Sequence, residues 1–258
     1  MRTLKLTIAY EGTPYVGWQR QASGTSIQGL LEGILTEIDD APVAVAGAGR
    51  TDAGVHALAQ VASCTVAGKL DTDTLRRALN AQLPADVRVL TVEDVPESFH
   101  ARFSATGKRY RYVVANGPVV SPFAARSAWH QTGWLDLATM QQAASLLLGT
   151  HDFSAFQSTG TDVPHGVRTL SLAAIQDLSD RPPPPLPVDA VPGGRLVVFE
   201  VAGDGFLRHM VRALAGTLVE IGHGRRDPDL GALLASGNRA LAGPTAPAHG
   251  LWLVEVNY

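Results

Sequence analysis

A single cysteine, Cys64, stands among the 258 residues, so neither an internal disulfide nor a cysteine-rich metal site can form. No apolar run approaches the roughly 18–20 residues that a membrane helix needs. Charge is sparse, at 17% of residues, and neither sign dominates. Lys and Arg number 21 against 24 Asp and Glu, a net charge of −3. That balance excludes a uniformly basic nucleic-acid coat and leaves room for a local basic groove. Acidic Glu11 follows Met1-Arg2-Thr3-Leu4-Lys5 too soon for the apolar core of a signal peptide. The expectation is a soluble protein of a reducing compartment, the cytoplasm. Hydrophobic side chains, by contrast, make up 45% of the chain, enough for one large domain or two small ones.

Periodicity orders the first half. Leu4 to Tyr10 alternates apolar and polar residues as a half-buried strand does. A Gly/Pro loop, Glu11 to Gly24, follows, and Thr25 with Gln28 has the spacing of a capping box. Ile27, Leu30, Leu31, Ile34, Leu35 and Ile38 then form one helical stripe that Pro42 ends. Val43–Ala48 and Gln60–Val66 read as strands, Asp71–Gln82 as a helix on Leu75 and Leu79, and Val87–Val92 as a fourth strand. The order is β-α-β-β-α-β.

The second half repeats it. Arg109–Ala115 is strand-like, with Tyr110, Tyr112 and Val114 on one face. Asp136 caps a helix with Leu137, Met140, Ala144, Leu147 and Leu148 inward. Leu170–Leu178 and Leu196–Val201 are strands around the run Pro182–Pro187, which lacks ladder N–H groups and must lie outside the sheet as a stiff exposed connection. Phe206–Ile221 reads as a long helix, Asp229–Ser236 as a short one and Leu251–Val256 as the last strand. The fold class expected is α+β, two ferredoxin-like units, residues 1–105 and 106–258, whose adjoining antiparallel sheets line a cleft.

One segment is chemically unusual: Gly47-Ala48-Gly49-Arg50-Thr51-Asp52-Ala53-Gly54-Val55-His56-Ala57. Its glycines allow a tight turn and close approach of another molecule. An arginine two residues before Asp52 favours the ionised carboxylate, a competent nucleophile or general base. A surface ion pair or an ordinary glycine turn accounts for the same residues equally well. A dinucleotide fingerprint does not, because the third glycine and the following helix are missing.

The string Ala48 to Ala57 resembles the signature of the TruA-type tRNA pseudouridine synthases. The likeness extends through Tyr10-Glu11-Gly12-Thr13, Gly17-Trp18-Gln19-Arg20-Gln21, Phe99 to Ala105 and Arg109-Tyr110-Arg111-Tyr112. It continues through His151-Asp152-Phe153, Phe206 to Arg212 and Gly250-Leu251-Trp252-Leu253. The resemblance implies a homodimeric enzyme, without metal or organic cofactor, that isomerises uridines 38, 39 and 40 of the tRNA anticodon stem-loop. It puts the catalytic aspartate on Asp52, its paired arginine on Arg50 and the base-contacting tyrosine on Tyr110. The Pro-rich stretch departs from the family core. Attack by Asp52 at C6 of the uracil and action at the ribose both remain open.

Arg20, Arg102, Lys108, Arg109, Arg111, Arg208 and Arg212 are the candidates for RNA contact, the last two expected at i, i+4 on the polar side of one helix. Arg225 and Arg226 follow that helix. His56, His100, His151 and His209 lack the spacing of a zinc site, and His56 is expected to pack beside the Asp52 turn. A noncatalytic RNA-binding module fits the basic clusters equally well. A glycoside hydrolase does not, since Asp52 lacks a second acid in its motif.

Overall fold

The structure, a computed structural model, describes residues 1–68, 70–158, 165–187 and 189–258. In chain order the elements begin with β1 (Arg2–Tyr10), α1 (Ile27–Asp39), β2 (Val45–Gly47), β3 (His56–Val66), α2 (Thr72–Gln82) and β4 (Val87–Val95). There follow β5 (Gly107–Asn116), β6 (Trp129–Gln131), α3 (Leu137–Ser145), β7 (Gly149–Asp152), β8 (Val167–Asp177) and β9 (Arg195–Gly203). The chain closes with α4 (Met210–Gly222), α5 (Leu230–Ser236) and β10 (Leu251–Asn257). Two compact units result: residues 1–106 together with 252–258, and residues 107–251.

In the first unit β1 lies between β4 and β3, antiparallel to both. Leu4, Leu6 and Ile8 are fully buried, as their alternation requires. The eleven-residue β3 is shared along its outer edge. β2 pairs antiparallel near its end, Val45 opposite Cys64, and β10 pairs parallel at its start, Trp252 opposite His56. Helix α1 buries Ile27, Leu31 and Leu35, and α2 buries Leu75 and Leu79.

The cap of α1 is Ser26, not Thr25. Its side chain accepts the Gly29 N–H, and Ser26 itself is buried. Gln28 is therefore not half of a capping box. Its Oε1 accepts from Gln19 Nε2 at 2.6 Å and from the Arg20 N–H at 2.9 Å, and its Nε2 donates to the Val45 carbonyl at 2.8 Å. One side chain thus ties the opening loop to β2.

The second unit is an antiparallel sheet in the order β5-β9-β8-β7, with β6 parallel to β5 at Val114–Asn116. Asp136 caps α3, which buries Met140, Ala143 and Ala144. Leu147 is buried as expected, whereas Leu148 is exposed, because the helix ends at Ser145 before a further turn could carry it inward. Helix α4 begins at Met210 rather than Phe206, since His209 takes the left-handed conformation at φ 61° and breaks the helical path. The Pro-rich run lies between β8 and β9 and outside the sheet, but Pro183 and Leu186 are buried, so the connection is not wholly exposed.

Candidate active site

Asp52 sits in the turn between β2 and β3. The turn's entry is anchored by Ala48, fully buried, whose N–H donates to the Val61 carbonyl at 2.7 Å. Its exit is closed by the Val55 N–H, which donates to the Asp52 carbonyl at 3.1 Å while Gly54 takes φ +78°. Tyr10 and Gln60, on the neighbouring strands, hold the middle. The Tyr10 hydroxyl lies 2.8 Å from Thr51 Oγ1, and Gln60 Nε2 donates to the Gly49 carbonyl at 2.9 Å. Gln60 also donates to the Tyr10 oxygen at 3.4 Å, which directs the phenol proton to Thr51. Burial pushes the Tyr10 pKa up to about 12, outweighing its bonds to Thr51 and Gln60, so that proton stays in place at neutral pH.

The opening loop clamps the same turn. Gly17 pairs with Asp52 in an isolated antiparallel bridge, and the Trp18 N–H donates to the Thr51 carbonyl at 3.0 Å. These contacts require glycine: a Cβ on Gly12 would stand 2.0 Å from the Val55 carbonyl oxygen, and one on Gly17 2.6 Å from that of Thr51. Trp18 is buried with its indole against Gly47, where a Cβ would come within 2.4 Å. The Gly12 N–H lies 2.9 Å from His56 Nδ1, and Glu11 Oε1 lies 3.3 Å from the same nitrogen. The imidazole is fully buried and stacked on Trp252, centroids 4.2 Å apart. His56 therefore packs beside the turn, as its sequence context indicates.

Asp52 is half-buried on this clamped turn. Arg50 is exposed. Tyr110 belongs to the second unit, on β5. Its ring is 8% exposed and meets Phe206 edge-on, centroids 5.0 Å apart. Tyr112, two residues on, is fully buried and donates its hydroxyl to the Pro247 carbonyl at 2.8 Å.

The basic candidates separate into different kinds. Arg20 pairs with the buried Glu32 at 3.0 Å. Arg111 grips Glu200 through Nε and Nη2 at 3.0 and 2.7 Å, with side chains only 16% and 14% exposed. The cross-strand register of β5 and β9 sets Arg111 opposite Glu200, so this charge is already matched inside the unit. Arg208 and Arg212 do not share a helix face. Arg208 is exposed and precedes α4, while Arg212 is half-buried and donates through Nε to the Ala246 carbonyl at 2.8 Å. Lys108 and Arg109 are half-buried on β5 and have partners, and Arg102 is exposed. Arg225 pairs with Glu220 at 3.3 Å, and Arg226 donates to the Leu241 carbonyl.

Among the described residues no group of three or more His, Cys, Asp or Glu could hold a metal ion, and no helix is long and apolar enough to cross a membrane.

A family described as tRNA pseudouridine synthase matches residues 6–104 and 143–258. The chain is 46% identical to the tRNA pseudouridine synthase A of Myxococcus xanthus, an alignment covering all of this chain and 92% of the relative. It is 44% identical to that of Syntrophotalea carbinolica, covering all of this chain and 97% of the relative. Against that of Acetivibrio thermocellus it is 41% identical, with both chains covered in full.

Proposed function

The chain belongs to the tRNA pseudouridine synthase family, an RNA-modifying isomerase, and we propose that Asp52 carries the isomerisation of uridines 38, 39 and 40 in the anticodon stem-loop. The observation that carries this reading is the clamped turn. Asp52 is the acid in a motif of glycines, and contacts from the opening loop, Tyr10 and Gln60 fix its backbone. Such fixing places a reacting group within the sub-ångström tolerance that catalysis needs. Asp52 is half-buried rather than enclosed in the core.

Pseudouridine formation breaks the N1–C1′ bond, turns the base and joins C5 to C1′. N1 ends with a proton and C5 loses one, so neither electrons nor atoms are exchanged with a cofactor. A carboxylate serves either route: it adds to C6 of the uracil, or it takes up C1′ of the ribose until C5 replaces it. A uridine inside a stem must first be everted, at a cost of a few kcal/mol. We read Arg50, exposed beside the turn, as entering the space the base leaves, and Tyr110 as the contact for the uracil ring. We further read the protein as a cytoplasmic homodimer. Of the basic residues, we read the exposed Arg102 and Arg208 as phosphate contacts, whereas Arg111 is paired with Glu200 in a mostly buried site.

The test is Asp52→Ala on unmodified tRNA, with pseudouridine mapped by nucleotide. Conversion is expected to vanish while tRNA affinity stays within about tenfold of wild type. Turnover retained in the variant would remove Asp52 from the mechanism. Conversion by the wild type at other nucleotides would overturn the assignment to 38, 39 and 40.

A further inference from the structure

The segment between β4 and β5 presents an aromatic ring outward from a turn that is held on every side. Ala101 is fully buried in a cluster with Ala48 and Val61. Its N–H donates to Ser63 Oγ at 3.0 Å, and its carbonyl accepts the Tyr258 hydroxyl at 2.8 Å. His100 Nδ1 accepts the Arg102 N–H at 3.1 Å and reaches that of Phe103 at 3.4 Å, and the Ser104 N–H donates to the His100 carbonyl at 2.9 Å. The backbone from His100 to Ser104 therefore has little freedom, yet Phe103 is 78% exposed.

Single exposed apolar side chains are common and need no explanation by themselves. Phe103 differs in what surrounds it. The His100 ring lies 4.4 Å away by centroids at 33°, and the Arg102 guanidinium sits 5.7 Å from the phenyl centroid. Because His100 Nδ1 is an acceptor, its remaining proton is on Nε2, a second donor beside the ring. A largely exposed aromatic ring beside a cation and an N–H donor is the chemistry that receives a nucleobase and its phosphate. The rigidity also connects it to the reaction: Ala101 packs on Ala48, whose N–H bond to Val61 anchors the Asp52 turn.

We propose that Phe103, with Arg102 and His100, is a stacking platform for an unpaired base of the tRNA, whose adjoining phosphate Arg102 takes. The proposal rests on the tRNA-modifying activity argued above and adds a contact outside the Asp52 turn. Base stacking on one aromatic ring contributes about 5- to 150-fold in affinity.

Phe103→Ala, Phe103→Trp and Arg102→Gln test it by steady-state kinetics on a tRNA transcript. Phe103→Ala is expected to raise KM about tenfold while kcat falls less than twofold, and Phe103→Trp to restore KM. Arg102→Gln is expected to raise KM and to lower the salt slope of tRNA binding by about one phosphate contact. Single abasic nucleotides placed along the anticodon loop supply the second measurement. One position should weaken binding to wild type and have no further effect on Phe103→Ala. Unchanged KM in Phe103→Ala, or no abasic position that spares the variant, overturns the proposal. So does a change in oligomeric mass of Phe103→Ala, which would assign the ring to contact with a second copy of the chain. Conversion by the wild type on the intact transcript reports separately on the proposed function, so the two failures are distinguishable.

Discussion

Gly12→Ala tests whether the opening loop sets the position of Asp52. The new Cβ would stand 2.0 Å from the Val55 oxygen and 2.6 Å from its carbonyl carbon, against ordinary contact from 3.4 Å. Relief needs a shift of about 1.4 Å between two backbone segments. Neither side yields easily. The loop is bound through the Gly12 N–H to His56, and the Val55 N–H donates directly to the Asp52 carbonyl. Overpacking of this kind costs about 1–3 kcal/mol. In a protein of this size that lowers Tm by about 2–4 °C per kcal/mol. A displacement of an ångström at a reacting group costs about 100-fold in rate. The assay is single-turnover pseudouridine formation, with Tm and tRNA affinity measured on the same preparation. A variant that binds tRNA, has lost stability and reacts about 100-fold more slowly fits the argument. If it is destabilised yet reacts within threefold of wild type, the loop absorbs the strain and does not position Asp52.

Arg111→Ala should lower stability by about 3–5 kcal/mol in denaturant unfolding, because it strands Glu200 in a mostly buried site. The salt slope of tRNA binding should not change, whereas Arg208→Gln should lower it. Alkaline titration offers another check. Burial pushes the Cys64 thiol and the Tyr10 phenol each to about 12, above their ordinary values. Both groups are neutral in either state at lower pH, so their contribution to stability is intact there. Between about pH 9 and 12 the unfolded chain ionises first, so stability falls as pH rises. Cys64→Ala should flatten that fall by about 1.4 kcal/mol per pH unit, read from chemical denaturation at several pH values.

The elements of the fold were legible wherever periodicity was strong. The β1 alternation, the stripe of α1 and the Asp136 cap all correspond to structure. Local signals failed where a single backbone angle decided the outcome. The pattern from Phe206 onward is helical, but left-handed His209 delays α4 and takes Arg208 off the helix. The partner of β10 was equally illegible, because alternation identifies a strand and not the strand it pairs with. At the candidate site, Asp52, Arg50 and the glycines stood out by composition. Tyr10 and Gln60 did not: one ends an alternating strand and the other opens an apolar segment, as ordinary residues do. The Arg111 ion pair was illegible for a related reason, since Glu200 lies opposite it only through strand register.

Placing residues 252–258 in the same unit as residues 1–106 has a consequence for biosynthesis. On the ribosome the half that bears Asp52 emerges first, yet its sheet lacks the ribbon beside His56 and Ala57 until the intervening 145 residues have been made. The buried imidazole has no indole to stack on, and the Ala101 carbonyl no phenol to accept from, until that moment. A nascent chain therefore carries the Asp52 turn well before the strand that pairs beside His56 and Ala57.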